Sequence, residues 1–145
     1  MDDFENRFYA SWGRVNAAYH DYAKRFGLND ADIWIYYLLY AKTNGCTQSD
    51  ICRMAALPKQ TVNSAVARAR KTGRLEERSN PVDARSKVLV LTPAGHSFAE
   101  PIVARLRAAE DAATRTFTDE QLNQALAVFD EFSAQIERLL GEKEA

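Results

Sequence analysis

The chain has two cysteines in 145 residues, Cys46 and Cys52. They are not in C-x-x-C spacing and no histidine cluster accompanies them, which argues against both a disulfide framework and a zinc site. The two histidines, His20 and His96, stand alone in helical patterns without a cysteine or carboxylate at ligand spacing, so packing or surface is their expected role. There is no glycine-rich phosphate loop and no nucleophile elbow. Glu76 and Glu77 are neighbours on opposite faces of a strand and make a poor acid and base pair. The parts of an enzyme are missing, and no cofactor is called for. No apolar run reaches the roughly 18 residues that span a bilayer. The opening "MDDFENRF" is acidic and polar where a signal peptide is basic and then apolar, so the expected setting is the cytoplasm with no membrane partner. What remains is an ordinary globular composition, 46% hydrophobic and 27% charged, enough for one modest domain or a domain with an extension.

A strong net charge is also lacking: the total is -1. Its distribution is uneven. Between Arg53 and Lys87 lie nine Lys or Arg against three acids, a net of +6 that leaves -7 for the rest. A basic block inside an acidic chain reads as a surface for phosphate. The same run also suits a solvated helix face, so it becomes a site only in a fold that presents it.

The hydrophobic pattern supplies such a fold. Phe4, Phe8, Trp12, Val15, Tyr19, Tyr22 and Phe26 recur at steps of four and three, predicting a long amphipathic helix that stops near Gly27. Asn29 or Asp30 then caps "IWIYYLLYAK", apolar nearly all round and therefore central to the core. Thr47 with Asp50 three residues on resembles a capping box, opening a short helix in which Ile51 faces inward. Pro58 suits the first turn of the next helix, where Val62, Ala65, Val66 and Ala69 form the apolar face, and Gly73 fits the position past its end. Two short helices in succession, the second polar and basic at its start, are what a helix-turn-helix needs.

The stretch "RLEERSNPVDARSKVLVLT", residues 74–92, reads as two short β-type runs joined by a loop from Ser79 to Ser86, longer than a tight hairpin requires. A recognition helix followed by a hairpin with a projecting loop is a winged helix-turn-helix. The residues "TQSDI", "TVNSAVARARKTGRLE" and "DARSKVLVLTPAG" together resemble the MarR family of bacterial transcriptional regulators. The last of these resembles the family's wing signature, Asp-x-Arg-x5-Leu-Thr, followed by a glycine in the next helix. The resemblance covers nearly the whole chain and implies two long C-terminal helices, about 94–116 and 119–140. Their stripes are Ile102, Val103 and Leu106, then Leu122, Leu126, Phe129, Phe132, Ile136 and Leu139. The fold class is mainly α with a small β-hairpin. Residues 29–93 form the winged DNA-binding domain, and residues 1–28 and 94–145 form a helical dimerisation region.

The resemblance implies a sequence-specific regulator of transcription, a homodimeric repressor on a pseudo-palindromic operator in double-stranded DNA, released by a small ligand. The aromatic first helix and the C-terminal stripes also offer more apolar surface than one small winged domain covers, which independently favours a dimer over a folded-back monomer. Lys59, Gln60, Thr61, Asn63 and Ser64 are candidates for the groove, Gln48 and Lys87 for further DNA contacts, and Arg85 for the wing tip. Asp83, two residues before Arg85, either holds its guanidinium or bonds the loop backbone. Thr47 is a cap or a phosphate contact. Two departures bear on base preference: Ser64 stands where many members carry arginine, and Arg74 where an apolar residue is usual.

Family members respond to small aromatic anions or to cysteine oxidation. The first helix, where redox-sensing members place their cysteine, has none here. Cys52 beside Ile51 is expected to pack inertly, and Cys46, in the loop before Thr47, to be accessible. Trp12, Tyr19, His20, Trp34, Tyr36, Tyr37 and Tyr40 are candidates for a pocket or simply for core. A winged module that binds protein rather than DNA is the alternative from another class, and a cysteine-redox regulator the alternative within this one.

Overall fold

The computed structural model describes residues 3–83 and 85–141, so residues 1–2 and 142–145 at the ends of the expected dimerisation region lie outside it. Six helices and a two-stranded sheet follow in the order α1 (Asp3–Lys24), α2 (Asp30–Ala41), α3 (Gln48–Ala55), α4 (Lys59–Lys71), β1 (Leu75–Ser79), β2 (Lys87–Leu91), α5 (Pro93–Thr114) and α6 (Asp119–Gly141). The expected fold class and the two C-terminal helices are as the sequence indicates. The chain divides into two compact units, 1–103 and 104–145, with the boundary inside α5.

In the first unit, α2 is the centre. Its two ends are set by chemistry: Asn29 and Asp32 form a reciprocal capping box, and Leu38 O accepts the N–H of Lys42 after the last turn. Between them Ile33, Ile35, Tyr36 and Leu39 are each at most 3% exposed, as a helix apolar all round should be. Around Ile35 and Leu39 pack Ile51 of α3, Val62, Val66 and Ala69 of α4, Leu75 and Leu89 of the hairpin, and Val103 of α5. By contrast α1 buries only Ala23, and is tied down near its end by Tyr22, whose hydroxyl donates to Ile102 O at 2.9 Å.

The sheet is a simple antiparallel hairpin, paired from Leu75 with Leu91 to Ser79 with Lys87. Cys46 extends it by one bridge: its N–H donates to Leu89 O and its carbonyl accepts from Leu89 N, at 3.2 and 2.8 Å. Gly45 makes this approach possible, since its φ is +77° and a β-carbon there would collide with the Leu89 carbonyl. Cys46 is therefore buried, 5% exposed. This corrects the expectation of an accessible thiol: a segment that reads as loop is a strand-like edge under the hairpin.

Thr92 joins the hairpin to α5 and to the end of α4. Its hydroxyl donates to Gly73 O at 2.7 Å and accepts from Gly95 N at 3.0 Å, while its own N–H donates to Arg74 O at 3.1 Å. Gly95 sits so close to Arg74 O that a β-carbon would clash with it. The Leu-Thr-Pro-Ala-Gly run thus has a physical reason: a helix cap that also locks the strand to the helix before it.

The second unit holds the rest of α5 and α6. Thr118 and Gln121 cap α6 reciprocally, at 2.9 and 3.2 Å. No residue of α6 is buried, although its apolar stripe is the longest in the C-terminal third.

Candidate nucleic-acid interface

Helix α3 ends at Ala56, a non-glycine residue held at φ 50° and ψ 40°. Leu57 N donates to Cys52 O at 3.1 Å across this turn, and Pro58 then starts α4. The turn holds α4 across α3, and Val62, Ala65, Val66 and Ala69 fasten one side of α4 to the core. That leaves Lys59, Gln60, Asn63 and Ser64 exposed on the other side, with Thr61 half-buried between the two. Ser64 Oγ donates back to Gln60 O at 3.0 Å. Pro58 occupies the cap position with no side-chain hydrogen bond, whereas α2 and α3 both open on capping boxes. The first amides of α4 are therefore left for an outside acceptor.

The wing loop runs from Asn80 to Ser86. Asn80 shapes it from both sides, donating to Ser86 Oγ at 2.6 Å and accepting from Val82 N at 3.0 Å. Asp83 Oδ1 accepts from Arg85 N at 3.0 Å and Asp83 O from Ser86 N at 3.0 Å. Of the two roles open to Asp83, the structure has the backbone one. Among the described residues the Arg85 guanidinium has no ion-pair partner, and Arg85 is exposed. Gln48 and Lys87 come together, lining one cleft of about 270 Å³ with Thr47, Ser49, Glu77 and Ser86. The exposed residues of α4 do not line it; they connect to it through Arg70, which pairs with Glu77 at 2.9 Å.

The basic block is less free than its count implies. Four of its nine cations are held by carboxylates: Arg53 by Asp50, Arg68 by Asp32, Arg70 by Glu77 and Arg78 by Glu76, all within 2.9 Å. Two of those acids lie outside the block in sequence, which is why a window sum missed them. Arg74 lies over the Phe98 ring at 3.5 Å, and Phe98 in turn meets Tyr36 edge-on at 5.2 Å. The departure of Arg74 from an apolar residue is accommodated as a cation on an aromatic face. Lys59, Lys71, Arg85 and Lys87 remain without an ion-pair partner among the described residues.

The Asp32 to Arg68 bridge was not legible beforehand. Asp32 is 8% exposed and accepts from Arg68 Nη2 at 2.7 Å and Nε at 3.1 Å while capping its own helix. It fixes the recognition helix to the start of α2. His20 is likewise not isolated: its Nδ1 is 2.8 Å from Asp30 Oδ1. Periodicity within one helix carries no signal for such pairs between helices.

The candidate aromatics take part in several separate ring contacts among the described residues. Tyr19, Trp34 and Tyr37 form a chain of ring contacts at 5.6 Å, whereas Tyr36 turns to Phe98, Tyr40 to His96, and Trp12 to Phe8. Burial pushes the Cys46 thiol above its usual pKa, with Lys42 opposing and Asp50 adding to it. A thiol so held is a poor nucleophile. Cys52 is half-buried against the core.

Comparison with known proteins gives a consistent picture. The sequence pattern described as MarR family matches residues 26–86. No curated protein matches. Among solved structures, a MarR family regulator from Neisseria meningitidis superposes with a TM-score of 0.83 at 22% identity, covering 99% of this chain and 100% of its own. The MepR–DNA complex of S. aureus gives 0.73 at 17% identity, covering 94% and 99%. CouR from Rhodococcus jostii, bound to p-coumaroyl-CoA, gives 0.75 at 20%, covering 90% and 92%.

Proposed function

We propose that this chain, whose residues 26–86 match the MarR family pattern and whose fold matches MarR family regulators, is a DNA-binding regulator of that family, a homodimeric repressor whose two recognition helices read the half-sites of one operator. One observation carries this reading. Helix α4 is fixed to the core on one side and bare on the other, and the bare side presents Lys59, Gln60, Asn63 and Ser64. That geometry suits entry into a major groove, with these residues at base edges. Thr61 and the open amides at the start of α4 reach phosphate, as do Gln48 and Lys87 across their shared cleft. Arg85, with Asp83 shaping the loop that carries it, enters the flanking minor groove.

The dimer is supported by what α1 and α6 leave uncovered. Phe4, Trp12 and Val15 on α1 and Leu126, Phe129, Ile136 and Leu139 on α6 are each 40–60% exposed. Apolar stripes of this length mark an interface, and a second copy of the chain offers the same stripes in return. In this reading residues 29–93 bind DNA and residues 1–28 and 94–145 join the protomers. Release by a small ligand is favoured over cysteine oxidation by the burial of Cys46, and CouR, with its bound acyl-CoA, is a structural relative that takes such a ligand. No described helix is long and apolar enough to cross a membrane.

The test is a fluorescence anisotropy titration on selected DNA at several salt concentrations. Log affinity should fall linearly with log salt, with a slope set by the phosphates neutralised. A flat dependence with weak binding would favour a winged module that binds protein.

A further inference from the structure

The bare side of α4 has a chemistry of its own. Gln60, Asn63, Ser64 and Ala67 are exposed, and steps of three and four residues place them in one row along the helix. The side chains of Gln60 and Asn63 have no hydrogen-bond partner among the described residues, so each primary amide offers a donor and an acceptor side by side. Ser64 differs. Its hydroxyl proton goes to Gln60 O at 3.0 Å, which leaves its oxygen as an acceptor. Ala67, one turn beyond Asn63, presents a methyl group and nothing else.

The arginines of the same helix are withheld from this row. Arg68 is drawn onto Asp32 of α2 at 2.7 Å, and Arg70 onto Glu77 of β1 at 2.9 Å. Lys71 lies in the last turn, whereas the residues that reach base edges come from the first turns of a recognition helix. Among the described residues of α4 that leaves Lys59, at the first position, as the one cation in reach of a base edge.

In the major groove each base pair shows its own pattern of donors, acceptors and methyl group. Adenine, with N6 donating and N7 accepting, is the match for an Asn or Gln amide; guanine shows two acceptors, O6 and N7, and is the match for a guanidinium or ammonium. A serine left only with acceptor capacity meets adenine N6 or cytosine N4 and finds no partner on guanine. An alanine methyl packs on the thymine methyl. The four groups thus agree on A·T pairs. The counterargument is Lys59, which suits the two acceptors of guanine. Its place at the start of the row confines guanine to one end of the half-site.

We propose that the recognition helix reads each half-site as a run of A·T pairs, a specificity that rests on the DNA-binding reading. Gln60 and Asn63 hold adenines at N6 and N7, Ser64 accepts from an adenine N6, Ala67 covers a thymine methyl, and guanine is admitted only at the pair facing Lys59. Asp32 and Glu77 act as positioning residues by keeping Arg68 and Arg70 off the bases.

The experiment is selection of bound DNA by the full chain, followed by anisotropy on the selected operator carrying base analogues. The selected half-sites should be A·T at the pairs under α4, with any G·C at one end. At the pairs facing Gln60 and Asn63, 7-deazaadenine, which lacks the N7 acceptor, should weaken binding about tenfold. Uracil in place of the thymine facing Ala67 removes one methyl and should weaken it about fourfold. Asn63→Ala should abolish the 7-deazaadenine effect at one pair and relax selection there, and Ser64→Arg should bring in guanine at one pair, both with unchanged thermal unfolding. G·C pairs in the middle of wild-type half-sites, analogues without effect, or wild-type selection by both Gln60→Ala and Asn63→Ala would overturn the proposal. Salt-dependent binding that ignores these pairs removes the specificity and leaves the DNA-binding reading standing, whereas weak binding with a flat salt dependence removes both.

Discussion

Helices α2 and α6 are both rich in apolar residues, yet they do opposite things. Six residues of α2 are buried and none of α6. In α2 the apolar residues go all round, and the helix is sheathed by α3, α4, the hairpin and α5. In α6 they keep to one stripe beside a charged face, and no residue of that stripe is buried. The difference separates two uses of hydrophobic surface: one closes the fold of a single chain, and the other, in the proposed dimer, would meet a second chain. A stability measurement and an assembly measurement should therefore respond to different helices.

The largest effect is expected where the sheath is complete. Leu39→Ala in α2 should cost about 2–5 kcal/mol by leaving a cavity, read as a drop in the denaturant midpoint. Leu139→Glu in α6 should leave that midpoint for the monomer nearly unchanged and shift the species on a sizing column from dimer to monomer. Were the two substitutions to act alike on the midpoint, the contrast between the helices would fail.

Next comes the wing, which belongs to neither class. Arg85→Ala should cost on the order of 1–3 kcal/mol of operator binding and reduce the salt slope by about one, with dimerisation and unfolding intact. Asp83→Ala should cost less, because Asp83 acts through the loop backbone. Wild-type affinity and slope for Arg85→Ala would take the wing off the DNA.

A smaller effect concerns the entrance of α3. The hydroxyl of Thr47 and then its N–H donate to the Asp50 carboxylate, and Arg53 adds to this, so its pKa lies below the usual carboxylate value. A group with a depressed folded pKa stabilises the fold above its unfolded pKa, about 3.9, and that contribution disappears as pH falls through the folded value. Asp50→Asn should therefore be less stable than wild type at neutral pH, with the gap narrowing below about pH 4. Thermal melts at pH 7 and pH 3 check it. The smallest effect is the absence of one: Cys52→Ala should leave operator affinity and its response to peroxide unchanged, whereas peroxide release abolished by that change would restore the redox alternative.

What was legible beforehand follows from range. The stripe from Phe4 to Phe26, the buried face of Val62, Ala65, Val66 and Ala69, and the Thr47 and Asp50 box are local patterns with a period or a fixed offset, and they read correctly. The bridge of Cys46 to Leu89 and the pairs of Asp32 with Arg68 and His20 with Asp30 join residues 10 to 43 positions apart, and no period announces them. The same limit made the basic block look freer than it is. Thr92 and Gly95 were visible only as part of a signature; the structure supplies the reason for each.

The most direct test of the account is selection of bound fragments from random or genomic DNA by the wild-type protein. If uncovered apolar stripes pair two copies and each copy presents α4 to a major groove, the selected sites should be inverted repeats with half-site centres about one helical turn, roughly 10 base pairs, apart. Selected sites made of single, unpaired halves would contradict it.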